Sequence, residues 1–333
     1  MIEVTISEND QNKRLDKFIK KYLVNAPDSL IYKLFRKKDI KVNKKPKSYD
    51  YITQMGDVIS IYITKEQENE FLNKKSIPLS KNKSFQVIYE DENILIVNKP
   101  SNLLVHEGDM DSKNEENLTK QVLNYLIENK SYDFEKENTF IPALAHRIDR
   151  NTSGLVIFGK TFLALQELFK AFKNHEGMEK EYETLVCGKL FTPGRIEAKL
   201  IKNEKTKIVN IDEVNGLKAI TLYEPLKIYD DVTLLKVKIL TGRTHQIRVH
   251  LKSIHHPLVG DQKYGNKNSD ILGKKYGLNH VFLHAKRICF HNLEGTLQYL
   301  NHQEFTAPLF DWEIKLLNQL NGGKNNELFT KSE

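Results

Sequence analysis

The sequence predicts an α+β protein in two parts, a large domain on a mixed, largely antiparallel sheet and a small α/β module in front of it. After residue 85, strand patterns follow one another with occasional helices and without the regular strand–helix alternation of a parallel sheet. Before it, helix and strand patterns fill a short N-terminal stretch. We therefore expect a module at 1–64, a linker at 65–84, the main domain at 85–320 and a flexible tail at 321–333.

The linker and the tail are predicted from composition. Residues 65–84 mix charged side chains with Pro and Ser and have no clear hydrophobic periodicity, which is typical of a connecting segment. The residues after Asn321 are polar, so we expect the chain end to be frayed.

The module is predicted from the spacing of its apolar residues. A first amphipathic helix has apolar residues at i, i+3, i+4, i+7 and i+8, namely Leu15, Phe18, Ile19, Tyr22 and Leu23. A second helix begins after the turn at 27–29 and buries Leu30, Ile31, Leu34 and Phe35. Alternating apolar residues at 40–43 and 58–63 then predict short strands.

The positive charge of the chain is concentrated in this module. The formal net charge is +7, and the segment 33–47 alone has eight basic residues against one acidic residue, Asp39. Such a cluster is typical of a surface that binds a polyanion, although lysine-rich runs are also found as plain solvated surface. The candidate RNA-binding residues are Lys33, Arg36, Lys37, Lys38, Lys41, Lys44 and Lys45.

The main domain is predicted to begin with two strands joined by an acidic turn, at 87–89 and 94–99. Amphipathic helices are expected around Val122 to Leu126 and over 161–172. The uninterrupted apolar run 155–158 predicts a strand that is buried on both faces. Further strands are expected at 182–186, 219–223, 234–239 and 246–251.

Composition excludes several classes of protein. With 39% hydrophobic and 29% charged residues, the chain has the composition of a soluble globular protein. We expect it in the cytoplasm, because the N-terminus does not resemble a signal peptide and no apolar run approaches the ~18 residues of a membrane span. Cys187 and Cys289 are far apart, and the histidines do not follow a zinc-binding spacing. We therefore predict no disulfide, no metal and no small-molecule cofactor.

One carboxylate stands directly before the buried strand. Asp149 lies between Arg147 and Arg150, and the turn-forming sequence Thr152-Ser153-Gly154 follows it. For an isolated aspartate, capping of the turn and pairing with an arginine would be a sufficient explanation. An acidic side chain at the end of a buried strand is also a candidate catalytic group.

Four strings in fixed order favour the catalytic interpretation. The string around Asp149 is His146-Arg147-Ile148-Asp149-Arg150-Asn151-Thr152-Ser153-Gly154-Leu155. It is followed by Lys180-Glu181-Tyr182, by Thr241-Gly242-Arg243-Thr244-His245-Gln246-Ile247-Arg248, and by Phe282-Leu283-His284-Ala285. Together they resemble the motifs of the pseudouridine synthases of the ribosomal large subunit type, over about residues 85 to 310. The N-terminal module resembles the S4 RNA-binding domain that precedes the catalytic domain in many of these enzymes.

The resemblance implies a role for five residues. Asp149 matches the family's nucleophile, and Arg248 matches the arginine that pairs with it and keeps it charged. Tyr182 matches the aromatic residue that lies against the target base. Arg147 is similar to the arginine that holds the flipped uridine out of the RNA stack, and Leu283 to an apolar wall of the pocket. Arg243 and His245 are expected only to order a turn.

The resemblance also implies a substrate. The chain is most similar to the C subtype of the family, whose members act on several uridines of 23S ribosomal RNA. The expected partner is therefore 23S rRNA or a pre-ribosomal particle, and we expect the chain to be a monomer. Two alternatives remain open at this point. The enzyme could act on tRNA or another rRNA site, or the chain could be a non-catalytic RNA-binding factor in ribosome assembly.

Overall fold

A computed structural model describes residues 1–72, 80, 82–107, 115–174 and 177–322 of the chain. The predicted flexible tail falls largely on residues 323–333, which lie outside the described residues.

The N-terminal residues fold into a four-stranded sheet with two helices, counted over the described part of the chain. The strands are β1 (Ile2–Thr5), β2 (Ile40–Val42), β3 (Lys45–Pro46) and β4 (Val58–Ile61), in the spatial order β1-β4-β2-β3. The helices are α1 (Leu15–Tyr22) and α2 (Asp28–Arg36). The apolar residues that predicted these elements, among them Phe18, Ile19 and Ile31, meet in one buried cluster.

A third helix, α3 (Lys65–Phe71), lies at the start of the segment 65–84 that the sequence predicts as a linker. Thr64 and Gln67 form a capping box, in which each side chain accepts a hydrogen bond from the other residue's backbone N–H, at 3.3 and 3.1 Å. Phe71 packs into the apolar cluster of the N-terminal module. A seven-residue helix with one buried aromatic residue is too short to show a 3.6-residue period, and it is stabilised by its cap and by tertiary contact. The rest of this segment lies mostly outside the described residues.

The main domain contains a large sheet in the order β11-β10-β12-β13-β9-β14-β8-β6-β5, with β15 paired to β14 and β7 to β8. Within the described residues every strand pair in this sheet is antiparallel except β8 with β14, which pairs Ser153 with His284 and Gly154 with Ala285. The predicted mixed, largely antiparallel sheet is confirmed. Its strands are β5 (Gln86–Glu90), β6 (Ile94–Lys99), β7 (Ala143–Leu144), β8 (Ser153–Gly159), β9 (Met178–Cys187), β10 (Gly194–Lys202), β11 (Val209–Ile211), β12 (Leu217–Ile228), β13 (Val232–Ile239), β14 (Leu283–Phe290) and β15 (Glu304–Thr306).

The buried run that follows Asp149 divides two apolar cores. Every residue of β8 is buried, as predicted. Val156 and Phe158 belong to the core that includes α4 (Leu118–Glu128), whereas Leu155 and Ile157 belong to the core that includes α5 (Phe162–Asn174). Since successive side chains of a strand point to opposite faces, β8 is held from both sides. The turn in front of β8 is therefore fixed to a rigid element.

The predicted strand at 246–251 is wrong, because these residues form helix α6 (Gln246–Ser253). Its apolar residues Ile247, Val249 and Leu251 alternate in sequence as in a strand, yet Gln246 and His250 are buried as well. A two-turn helix that is buried on most sides shows no amphipathic period. The Gln246 side chain accepts hydrogen bonds from Thr241 Oγ1 at 2.8 Å and from the Arg243 N–H at 3.0 Å, which stabilises the start of the helix. Two further helices are α7 (Lys267–Lys275) and α8 (Asp311–Leu320).

A buried polar contact joins the N-terminal module to the main domain. The Lys13 ammonium donates to Asp10 Oδ1 and to Thr139 Oγ1, both at 3.0 Å. Asn138 Nδ2 donates to Asp10 Oδ2 at 2.9 Å. Asp10 is completely buried, so its charge depends on these partners. The contact fixes the module against the loop that leads to β7. Over the described ranges, none of the helices is long and apolar enough to cross a membrane.

Candidate active site

A cleft of about 910 Å³ opens where the turn before β8, strand β9 and the start of α6 meet. The structure brings five of the residues singled out in the sequence to this one cleft, namely Arg147, Asp149, Tyr182, Arg248 and Leu283. They come from four strings that span more than 130 residues of sequence. Because β9 pairs with β14 and β14 pairs in parallel with β8, the sheet itself brings three of the four strings together.

Asp149 lies in the turn before β8, where its carbonyl oxygen accepts a hydrogen bond from the Thr152 N–H at 3.1 Å. Its carboxylate is partly exposed to the cleft. Oδ2 lies 3.6 Å from Arg248 Nη1 and 3.8 Å from His245 Nε2. The carboxylate therefore faces two cationic or hydrogen-bond-donating groups and still has one side open to a ligand.

Arg248 has its shortest contacts with Asp261, not with Asp149. Arg248 Nε donates to Asp261 Oδ2 at 2.8 Å and Nη2 to Asp261 Oδ1 at 2.7 Å. Burial alone would raise the pKa of Asp261, but the two hydrogen bonds and the charge of Arg248 outweigh burial and lower it. The guanidinium also lies over the Tyr264 ring, 4.9 Å from its centroid. Asp261 holds the guanidinium in place while Nη1 remains directed at Asp149.

His245 lies beside Asp149, although the sequence indicated only a role in ordering the turn. The residue has φ 52°, in the left-handed region, at the position just before α6. Its Nδ1 is 2.7 Å from the Tyr264 hydroxyl, which itself accepts a hydrogen bond from the Val209 N–H at 2.9 Å. The hydroxyl proton is thus available to Nδ1, which leaves the Nε2–H of a neutral ring facing Asp149. Burial lowers the pKa of His245 and favours this neutral form, against the opposing charge of Asp149.

Lys99 supports the turn of Asp149 through a hydrogen bond to its backbone. Its side chain is completely buried at the end of β6, and the ammonium donates to the carbonyl oxygens of Pro100, Leu103 and Arg150 at 2.8, 2.9 and 3.0 Å. Burial lowers its pKa to about 7, with the charge of Asp149 acting in the opposite direction. The hydrogen bond to Arg150 fixes the backbone next to the Asp149 carboxylate. The sequence marked Lys99 only as part of a strand end, because its three acceptors are backbone groups without a sequence signal.

Tyr182 and Leu283 form the apolar wall of the cleft. Tyr182 is 8% exposed and lies on β9 opposite Ala285 of β14. Burial, and then the charge of Asp149, raises the pKa of its phenol above the ordinary value. The hydroxyl therefore stays protonated at neutral pH and can donate a hydrogen bond into the cleft. Leu283 is 5% exposed and opens β14 at the same wall.

Arg147 is exposed at the mouth of the cleft, whereas its neighbour His146 points inward. His146 Nε2 accepts a hydrogen bond from the Ile157 N–H at 3.2 Å, and the ring stacks on Phe172 with 4.6 Å between centroids. Burial, with a smaller contribution from the Lys180 charge, lowers the pKa of His146 to about 3. A neutral His146 fastens the segment 146–149 to β8 and leaves Arg147 free to contact a ligand.

The basic cluster lies apart from the cleft. Six of its seven predicted RNA-binding residues are exposed, and Lys41 is half-buried with its ammonium 4.7 Å from the centroid of the Tyr62 ring. Over the part of the chain that the structure describes, none of the seven forms an ion pair and none lines the cleft.

Within all the described residues, no group of three or more His, Cys, Asp or Glu side chains could hold a metal ion.

Comparisons with known proteins agree with the motifs. A family model described as RNA pseudouridylate synthase matches residues 93–253. The protein called ribosomal large subunit pseudouridine synthase C from Vibrio vulnificus is 33% identical over 86% of this chain and 87% of its own length. The Haemophilus influenzae protein of that name is 35% identical over 90% of this chain and 92% of its own length. The structure called human RNA pseudouridylate synthase domain containing 4 has a TM-score of 0.55 at 20% identity, over 71% of this chain and 92% of that chain, and supports the fold alone.

Proposed function

The chain belongs to the family of RNA pseudouridine synthases, and from this premise we propose that it converts specific uridines of 23S ribosomal RNA to pseudouridine. Its relatives in Vibrio and Haemophilus are named for the large ribosomal subunit, and they match almost the whole of this chain. The family predicted from the four motifs is therefore confirmed. The choice of 23S rRNA over tRNA is our proposal, supported by these names and by the exposed basic cluster of the N-terminal module.

The reaction breaks the bond between N1 of uracil and C1′ of the ribose, turns the base, and forms a bond between C5 and C1′. One proton leaves C5 and one is gained at N1, so neither an oxidant nor an energy source is required. We propose Asp149 as the nucleophile. The observation that carries this assignment is the position of Asp149 at the wall of the cleft, with an open side and with Arg248 Nη1 at 3.6 Å from its carboxylate. Attack on the base ring, attack on C1′ and assistance in expelling the base are all compatible with this position.

The other residues of the cleft have the chemistry that such a reaction needs. The protonated Tyr182 is proposed to stack on the uracil and to donate a hydrogen bond to it. Leu283 closes the apolar side of the pocket. Arg147, exposed at the mouth, is proposed to take the place of the flipped nucleotide in the RNA stack, an extrusion that costs a few kcal/mol.

We propose the division of the chain into an RNA-binding module at 1–64 and a catalytic domain at 85–320. Residues Lys33 to Lys45 would contact phosphates of a structured RNA, and the S4-like character of the module is part of this proposal. We propose that the chain acts as a monomer. We place the enzyme in the cytoplasm, where it would act on 23S rRNA or an assembling particle.

The proposal is tested by mapping pseudouridine across 23S rRNA from cells with and without the gene, using carbodiimide labelling and primer extension. We expect loss of signal at a few uridines, restored by the wild-type protein and by the control Asp270→Ala, whose side chain is exposed on α7, but not by Asp149→Ala. An unchanged 23S map together with loss of pseudouridine in tRNA would show that the substrate is tRNA and not 23S rRNA. Full biological rescue by Asp149→Ala would instead indicate a binding factor without catalysis.

A further inference from the structure

A second pocket, of about 380 Å³, adjoins the active-site cleft and shares Lys180 and Ile239 with it. We call it the lateral pocket. Its polar lining consists of Glu179, Lys180, Lys238, His291, Asn292 and His302. Pockets of about 300 to 1,000 Å³ accommodate small ligands, so this volume suits one nucleotide unit better than a longer segment.

Within the described residues, one basic side chain at the junction of the two pockets, Lys180, forms no ion pair. Glu179 Oε1 forms an ion pair with Lys238 Nζ at 2.7 Å, so these two charges offset one another. Lys180 has its ammonium 5.1 Å from the centroid of the Phe172 ring. Burial lowers the pKa of Lys180 to about 8, and no carboxylate among the described residues opposes that shift. An anion at the junction would supply the missing partner.

The lateral pocket also holds an unsatisfied hydrogen-bonding atom. His291 Nε2 is buried and has no hydrogen-bond partner among the described residues, with Glu179 Oε1 at 3.9 Å. The His291 and His302 rings are 6.0 Å apart, centroid to centroid, on the pocket wall. Buried polar atoms without partners are uncommon, and a ligand that brings one is a sufficient explanation.

The spacing along β9 relates the lateral pocket to the target base. Lys180 and Tyr182 are two residues apart on one strand, so their side chains share a face and are separated by about 6.6 Å. This distance is comparable to that between a nucleobase and the phosphate of its own nucleotide. With the uracil against Tyr182, a backbone phosphate would reach Lys180, and the next nucleotide would enter the lateral pocket.

We propose that the lateral pocket is a second RNA subsite, in which Lys180 binds a phosphate adjoining the target uridine and His291 contacts the base of the neighbouring nucleotide. This inference rests on the proposed function of the cleft. It gives Lys180 and His291 a role in binding RNA, separate from the bond changes of the reaction. It also predicts that the enzyme recognises one nucleotide next to the target uridine through direct contact.

The test uses short stem-loop RNAs around a uridine that the wild-type enzyme is first shown to modify. One RNA has only natural linkages, and two others have a neutral methylphosphonate on the 5′ or the 3′ side of that uridine. For the wild type, one of the neutral linkages should raise KM about tenfold, since a charge-assisted hydrogen bond is lost. With natural RNA, Lys180→Met should raise KM about tenfold, while kcat at saturation stays within about twofold. With the RNA whose neutral linkage already raises the wild-type KM, Lys180→Met should cause no further increase in KM.

Two controls separate this effect from damage to the fold. Lys180→Arg should keep most of the affinity, and Lys189→Met, at an exposed lysine beyond the other end of β9, should behave as wild type. His291→Ala should raise KM with natural RNA but not with RNA that is abasic at the neighbouring position. An unchanged KM for Lys180→Met would overturn the subsite. So would a result in which the KM increases caused by Lys180→Met and by the neutral linkage multiply, whether that linkage is on the 5′ or the 3′ side of the uridine. Absence of pseudouridine with the wild type would count against the proposed function instead.

Discussion

Arg248 binds Asp261 through two hydrogen bonds of 2.8 and 2.7 Å, and it faces Asp149 at the longer distance of 3.6 Å. The arginine that the sequence assigned to Asp149 is therefore held by a different carboxylate. Asp261 is completely buried, so it is a fixed support, whereas Asp149 remains partly exposed to a substrate. The division separates the group that positions the guanidinium from the group that is proposed to react.

Asp261→Asn should lower both stability and activity. Removal of one partner from a buried pair leaves the other charge uncompensated, at a cost of about 3 to 5 kcal/mol in the free energy of unfolding. The kcat should fall at least about tenfold, because Arg248 Nη1 loses its fixed direction toward Asp149. Urea unfolding and pseudouridine formation measure the two effects. Asp231→Asn, which breaks a partly exposed pair with Lys275, should cost about 1 kcal/mol or less and leave activity intact.

Acid should destabilise the protein partly through His146. Its pKa is about 3 in the folded protein, against an ordinary value of 6.5. Between these values the unfolded chain binds a proton that the folded chain does not, so stability falls as pH decreases from about 6.5 toward 3. His146→Gln keeps an acceptor for the Ile157 N–H and cannot titrate, so its stability should depend less on pH. Thermal unfolding between pH 4 and 7 checks this, and a profile as steep as that of wild type would contradict it. His255→Gln, at an exposed histidine, is the control.

Lys99→Met should impair catalysis, although Lys99 binds backbone carbonyl groups and has no proposed contact with the substrate. The substitution removes three hydrogen bonds to backbone carbonyl oxygens, including that of Arg150, and should cost about 2 to 4 kcal/mol of stability. Because the Asp149 turn loses its support, kcat should decrease more than KM increases. Lys274→Met, at an exposed position of α7, should have neither effect. A folded Lys99→Met variant with full kcat would show that the turn does not need this support.

Gly154→Ala should be among the most damaging small substitutions. Gly154 has φ +105°, and a β-carbon there would collide with the backbone of Ala285, its parallel partner on β14. The expected loss is at least about 3 kcal/mol, with a displaced Asp149 turn and little activity. Gly277→Ala is the matched control, since Gly277 also has positive φ, +68°, but open space around it. It should cost only about 1 to 2 kcal/mol, so similar losses for both variants would argue against the close contact.

Neutralising the basic cluster should weaken binding of large RNA but not the chemistry. In the triple variant Lys37→Gln, Lys38→Gln, Lys44→Gln, the slope of log affinity against log salt should decrease by about 2 to 3, if each lysine contacts one phosphate. At saturating RNA, kcat should be unchanged because these residues lie outside the cleft. Filter binding at several salt concentrations measures the slope. A triple variant at the exposed Lys267, Lys274 and Lys315 should keep the wild-type slope.

Much of the fold could be predicted from local patterns. The amphipathic helices α1 and α5 and the buried strand β8 follow directly from hydrophobic periodicity, because their apolar faces are long and continuous. Local patterns failed where the element was short. Helix α6 was predicted as a strand since its buried residues alternate, and helix α3 was missed since one cap and one aromatic residue stabilise it.

The candidate nucleophile, the family and the mixed antiparallel architecture could all be predicted from the sequence, since each depends on residues that are adjacent or regularly spaced. The groups that support Asp149 could be identified only from the folded chain. Asp261 reaches Arg248, Lys99 reaches the Arg150 carbonyl, and Gly154 meets Ala285 through contacts between segments that are distant in sequence. Such contacts depend on how strands pair and on backbone acceptors that every residue possesses, so the identities of the residues involved do not reveal them.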